Sequence, residues 1–128
     1  MKSGLLGLVL VIFDNHNHYK LTPIEKAQMS NKDIQLEIHG EQQEVAVIRL
    51  TRPTKRNALN DGLVLAIRNL FETLPSTVRA AVLDGEGEHF CAGLDLSELS
   101  ERDAGQGLHH SRMWHAALER VQYGPVPV

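Results

Sequence analysis

Between Val45 and Gly85 the apolar pattern changes period twice, and that change leaves few folds open. "VAVIRL", Val45–Leu50, is a short run rich in β-branched residues and reads as a strand. Pro53 ends it, because proline cannot donate to a ladder. From Asn60 the spacing turns helical. Leu63, Val64, Ile67, Leu70, Phe71 and Leu74 recur on one face, with Arg68, Asn69 and Glu72 between them. Asn60 suits an N-cap and Pro75 a stop. "VRAAVLDG", Val78–Gly85, is again of strand length. Strand, helix and strand in this order predict a crossover with the two strands parallel. Upstream, Ile34–His39 alternates apolar and polar, and "GEQQE" supplies a polar turn, so a hairpin precedes the crossover. The class is α/β.

The segment after the second parallel strand is unusual in composition. "GEGEHFCAGLDLSEL", Gly85–Leu99, joins glycines, a lone cysteine and an Ala-Gly pair to an acid-capped turn. It sits just past the carboxyl end of a parallel strand, where open α/β sheets bind ligands. Two readings fit the residues alone. In one, this is a tight strand-to-helix turn capped by Asp95 with nothing bound. In the other, small side chains let a ligand approach the backbone closely. Cys91 has no base partner at motif spacing and reads as a small, buried apolar residue rather than a nucleophile. His89 reads as a loop residue.

Beyond Asp95 a short helical turn and the polar stretch "SERDAGQG" lead to a second helix, expected over Leu108–Tyr123 with Trp114, Leu118 and Val121 on one face. "YGPVPV" reads as the start of a further strand. At 128 residues the chain suits one domain, and 42% hydrophobic with 23% charged residues is ordinary for a globular protein. A net charge of −3 offers no basic footprint for nucleic acid. The single cysteine makes no internal disulfide, which suits a reducing, cytoplasmic compartment. "GLLGLVLVIF", following Met1-Lys2, resembles the apolar core of a signal peptide but lacks a cleavage site, and it is too short to span a bilayer. Residues 1–28 therefore read as an extension outside the fold, either an upstream addition or a targeting segment, with an organellar matrix as the destination in the latter case. Residues 29–128, from Met29, form the domain. His16 and His18 make an H-x-H pair without a third ligand nearby, so no metal site is expected.

Three segments in order resemble the crotonase family, also called the enoyl-CoA hydratase/isomerase family. "VAVIRLTRPTKRNALN" is similar to its first βα unit with the R-P-x-x-x-N-A-L loop. "RAAVLDGEGEHFCAGLDLSEL" is similar to its strand, glycines, F-x-A-G-x-D and short helix. "YGPVPV" is similar to its K-P-V strand, with Gly124 in the lysine position. The likeness covers residues 34–128. It implies a crotonase-like spiral of ββα turns, of which this chain holds the first turns, and assembly into homotrimers or hexamers.

The resemblance also implies chemistry: an acyl-CoA thioester whose enolate-like oxyanion is stabilised by two backbone N–H donors. Ala92 is expected to supply one of them as the catalytic group, with Gly93 keeping the surface open and Leu94 lining the same turn. Asp95 with Glu98 fits a cap on the turn that follows. Lys55 and Arg56 are expected to face CoA phosphates, or else to be solvated loop charges. Asn57 would brace its own loop, and Ala58 would leave room for the adenine. CoA enters as part of the substrate, and no separate cofactor is implied. The family's two proton-transferring glutamates and second oxyanion donor are expected beyond Val128, and Glu86, Glu88 and Glu98 match none of them. Met113, Trp114, His109, His110 and His115 fall where the acyl pocket is shaped, although core packing explains Trp114 equally well. The alternative to an enzyme portion is a non-catalytic CoA-binding or subunit-interaction module.

Overall fold

The computed structural model describes residues 31–100 and 103–128, together with two short strands nearer the N-terminus, β1 (Ile12–Phe13) and β2 (Tyr19–Lys20), which pair antiparallel. The expectations for the rest of residues 1–28, for the His16/His18 pair and for Met29 lie outside the described residues.

The main sheet has three strands in the order β3–β4–β5. β3 (Ile34–His39) and β4 (Val45–Leu50) form the expected hairpin, in register from Ile34↔Leu50 to His39↔Val45. The turn between them needs left-handed backbone at Gly40 and Gln43. β5 (Ala80–Gly85) lies parallel to β4, from Val45↔Ala80 to Leu50↔Gly85. One face of β4 is fully apolar inward: Ala46, Ile48 and Leu50 are buried, while Val45, Val47 and Arg49 alternate outward.

Helix α1 (Asp61–Glu72) makes the crossover. Asn60 caps it, its side-chain oxygen accepting from Leu63 N–H at 2.8 Å. The helical spacing read in the sequence is the buried stripe: Leu63, Val64, Ile67, Leu70 and Phe71 are all buried. Together with Ile34, Ile48, Leu50, Val78 and Ala81, most of this stripe forms the core.

Helix α2 (Ala104–Gln122) begins earlier than the expected Leu108. The cause is a capping box. Asp103 accepts from Gln106 N–H at 2.8 Å, and Gln106 Oε1 accepts from Asp103 N–H at 3.2 Å. Those reciprocal bonds start the helix inside a stretch whose two glycines disfavour it. The inward face also differs from expectation. Trp114, Ala117 and Val121 turn toward the body of the protein and Leu118 is exposed, although 118, four residues from 114, is as compatible with helical spacing as 117. The final residues form no regular strand, but Ala81 N–H donates to Pro127 C=O at 2.9 Å, so they run beside the free edge of β5.

Candidate functional site

The site is built from the two loops that leave the carboxyl ends of β4 and β5. In the first, Pro53–Lys55 form a single 3-10 turn, and Arg56 and Asn57 both take left-handed backbone, at φ 52° and 55°. Non-glycine residues pay for that conformation, asparagine less than most. Asn57 recovers the loss through its side chain, which is fully buried. Its Oδ1 accepts from Arg52 N–H at 2.9 Å, and its Nδ2 donates to the carbonyls of Glu86 at 2.9 Å and His89 at 2.7 Å. One amide thus closes its own loop and ties it to the next. Gly85 is the clearance for that tie. A Cβ there would stand 2.8 Å from Asn57 Nδ2 and against the Phe90 carbonyl.

Arg52 supports the same two loops from beside Asn57. Its guanidinium, only 13% exposed, donates to Ala58 C=O at 2.6 Å and to Asp95 Oδ2 at 3.0 Å, and it lies 3.3 Å from Asp33. Asp95, 5% exposed, also accepts from Ser97 Oγ at 2.6 Å and Ser97 N–H at 3.1 Å. The Ser97 hydroxyl bond is the largest cause holding the Asp95 carboxyl down to about 2. Burial opposes it, and the Ser97 amide, Arg52 and Lys55 reinforce it. Asp95 is therefore a charged cap and anchor at neutral pH rather than a proton donor.

Between these anchors the backbone of residues 91–95 is laid open. Ala92 N–H donates to Arg56 C=O at 3.0 Å. That amide is already committed, which corrects the expectation that Ala92 presents a free donor. Leu59 N–H donates to Gly93 C=O at 2.7 Å, and Asp95 N–H donates to Leu59 C=O at 2.8 Å. These two bonds form a parallel bridge between Leu59 and Leu94. In such a bridge the residue flanked by both bonds directs its own N–H away from its partner. Among the described residues Leu94 N–H meets no acceptor. Gly93 takes left-handed backbone, at φ 82°, and a Cβ at Gly93 would meet nothing within 4 Å, so the surface beside this turn is uncrowded. Gly93 N–H donates to Cys91 Sγ at 3.3 Å.

The loops bring Lys55, Arg56, Ala92, Gly93, Leu94 and Asp95 together. Lys55 and Arg56 are exposed, with Lys55 Nζ 3.4 Å from Ser97 Oγ. Asn57 and Ala58 lie beneath them, at 0% and 7% exposure, so a buried Ala58 does not border open space for an adenine. The bracing role read for Asn57 is present and reaches further than its own loop. Sequence reasoning missed Arg52 and the Leu94 amide. The Arg-Pro pair at 52–53 was a signal for the first, but the second depends on a pairing between residues thirty-five positions apart, Leu59 and Leu94. Among the described residues no group of three His, Cys, Asp or Glu could hold a metal, and no helix is long and apolar enough to cross a membrane.

A family model described as enoyl-CoA hydratase/isomerase matches residues 40–128. The 2,3-dehydroadipyl-CoA hydratase of Escherichia coli is 35% identical over 77 residues, covering 59% of this chain and 30% of its own length. The crystal structure of a Rhodopseudomonas palustris protein assigned as an enoyl-CoA hydratase superposes with a TM-score of 0.70 at 49% identity, over 75% of this chain and 36% of that one. A Thermobifida fusca protein assigned likewise, solved with acetoacetyl-CoA, is 28% identical with a TM-score of 0.57, over 73% and 38%. The chain belongs to the enoyl-CoA hydratase/isomerase family, with its crotonase fold, and spans about a third of the length of these relatives.

Two measurements check the scaffold. Asn57→Asp keeps the acceptor for Arg52 N–H but sets a buried carboxylate oxygen against two carbonyls. It is expected to lower stability to urea by about 3 kcal/mol or more at neutral pH. The loss should shrink in acid, where the introduced carboxyl is protonated and donates. The Asp95 carboxyl is depressed in the folded state, so the unfolded chain binds more protons between its ordinary value near 4 and about 2. Stability should therefore be fully present above about pH 4 and fall as pH drops toward about 2. Asp95→Asn, compared by urea midpoints across that window, should flatten the fall.

Proposed function

We propose that this chain is the acyl-CoA-binding portion of an enoyl-CoA hydratase/isomerase-type enzyme, and that Leu94 N–H, rather than Ala92 N–H, is its oxyanion donor. The observation that carries the reading is the amide left unpaired by the Leu59–Leu94 bridge while the amides around it are engaged. A thioester oxygen seated about 3 Å from that N–H accepts one hydrogen bond in the ground state. When a proton leaves the α-carbon, or a nucleophile adds to the conjugated double bond, negative charge moves onto this oxygen. A donor already fixed in direction stabilises that charge without reorganising, and such donors supply much of the rate in sites of this type. The bridge, held below by Asn57 and Arg52, does the fixing.

Lys55 and Arg56 stand exposed on the loop beside this amide and serve as the cations for the phosphates of CoA. Family membership and the acetoacetyl-CoA bound by one relative support this ligand class. Asp95 does not transfer protons in this account, since its carboxyl stays ionised down to about pH 2. Proton transfer belongs to groups outside these residues, as the family likeness implies.

The test exchanges single atoms. Replacing Leu94 by its α-hydroxy acid converts its peptide N–H to an ester oxygen and leaves the side chain in place. Turnover of an enoyl-CoA by the intact enzyme is expected to fall about 10²- to 10³-fold. The same exchange at Ala92 should lower stability and spare turnover in the folded fraction. Full turnover after the Leu94 exchange would sink the assignment.

A further inference from the structure

The bond from Arg52 to Ala58 falls on the peptide group that carries the Leu59 amide. Ala58 C=O accepts from Arg52 Nη1 at 2.6 Å. On the far side of the same peptide, Leu59 N–H donates to Gly93 C=O at 2.7 Å. Gly93 C=O in turn shares its peptide with Leu94 N–H, the amide that meets no acceptor among the described residues. These peptides are trans, so in each the carbonyl and the N–H point in opposite directions. A guanidinium and two peptide groups therefore form one chain of donors and acceptors that ends at Leu94 N–H.

Both bonds are shorter than the about 2.9–3.0 Å usual for N–H···O, and the first is charge-assisted. A peptide whose carbonyl accepts a hydrogen bond becomes a better donor at its N–H, and each link strengthens the next. Ala58 is 7% exposed, so little water competes at the first link. Through space the guanidinium does not favour an oxyanion. Asp95 and Asp33 lie 3.0 and 3.3 Å from it, and at a distance their two charges outweigh its own. The bonded path is directional and keeps its effect. Arginine suits this place because one planar fork serves a carbonyl and two carboxylates at once.

We propose that Arg52 is a positioning residue for the reaction, raising the donor strength of Leu94 N–H through the Ala58–Leu59 and Gly93–Leu94 peptide groups. The inference rests on the Leu94 assignment above and adds the residue that tunes it. Asn57 fixes where the loops lie, and Arg52 sets how strongly the amide between them donates.

Amide proton shifts of the intact, ligand-free protein test the relay, and steady-state kinetics of the intact enzyme with crotonyl-CoA test its use. Arg52→Gln is expected to move the Leu59 and Leu94 amide protons upfield. The Ala92 proton, whose N–H donates to Arg56 C=O off this chain, should stay in place. The value of kcat should fall about tenfold with KM changed by less than about twofold, the pattern of an interaction made in the transition state. That loss is smaller than the about 10²- to 10³-fold expected when the donor itself is removed. Arg52→Lys, which keeps a cationic donor, should recover part of both effects. Because Arg52 variants give up a buried ion pair and can unfold, a second variant leaves that side chain in place. Replacing Leu59 by its α-hydroxy acid breaks the middle link. It should move the Leu94 proton upfield and lower kcat about as much, and adding Arg52→Gln to it should cost little more. A Leu94 proton unmoved by either change, or an undiminished kcat in the folded variants, overturns the inference while the Leu94 assignment stands. Full turnover when Leu94 itself carries the ester overturns both.

Discussion

A single buried amide side chain sets the geometry on which the rest of this structure depends. Asn57 accepts from the backbone of its own loop and donates to two carbonyls of the next one. The two loops leave neighbouring parallel strands, and nothing in the ladder itself continues past Leu50 except the bond from Glu86 N–H to Leu50 C=O. Beyond the ladder the loops are joined by Ala92 N–H to Arg56 C=O, by the Leu59–Leu94 bridge and by Arg52 to Asp95. Asn57 adds the fully buried tie at the point where both chains turn, and asparagine tolerates the left-handed backbone there better than most non-glycine residues. Water is excluded from the three bonds, which raises the penalty for losing any one of them.

The charged contacts act outside this tie. Arg52 bonds Ala58 C=O and Asp95, and Asp95 bonds Ser97, so that a cation, an anion and a hydroxyl follow one another across the loops. Such a set is favourable only because each polar atom has a partner, since an uncompensated buried charge is expensive. Its consequence is local. The backbone on either side of Leu94 is pinned by Ala92 N–H to Arg56 and by Asp95 N–H to Leu59, and the intervening amide is left facing outward. A donor fixed in this way differs from an amide in a mobile loop, which would first have to be ordered by its guest.

Much of the fold was legible in the sequence because it follows from periodicity. The hairpin, the crossover helix with its Asn60 cap and the parallel strand all rest on apolar spacing over whole elements, and each lies where that spacing puts it. The start of α2 was not legible in the same way. Two glycines near its first turn conceal the Asp103–Gln106 capping box, whose meaning depends on side-chain geometry. The candidate site divides similarly. The run of small residues at 91–93 marked the place, and the Asn-Ala pair at 57–58 marked its support. Which amide stays unpaired did not follow from composition, because Ala92, Gly93 and Leu94 all border small side chains. The bridge from Leu59 decides it, and long-range pairing of two single residues leaves no local pattern to read.

Residue-resolved amide hydrogen exchange of the ligand-free protein tests the central claim most directly. With the loops tied as described, the amides of Leu59, Ala92 and Asp95 should exchange slowly and together, while Leu94, in the middle of them, exchanges orders of magnitude faster. A protected Leu94 amide, or an Ala92 amide as fast as Leu94, would contradict the account.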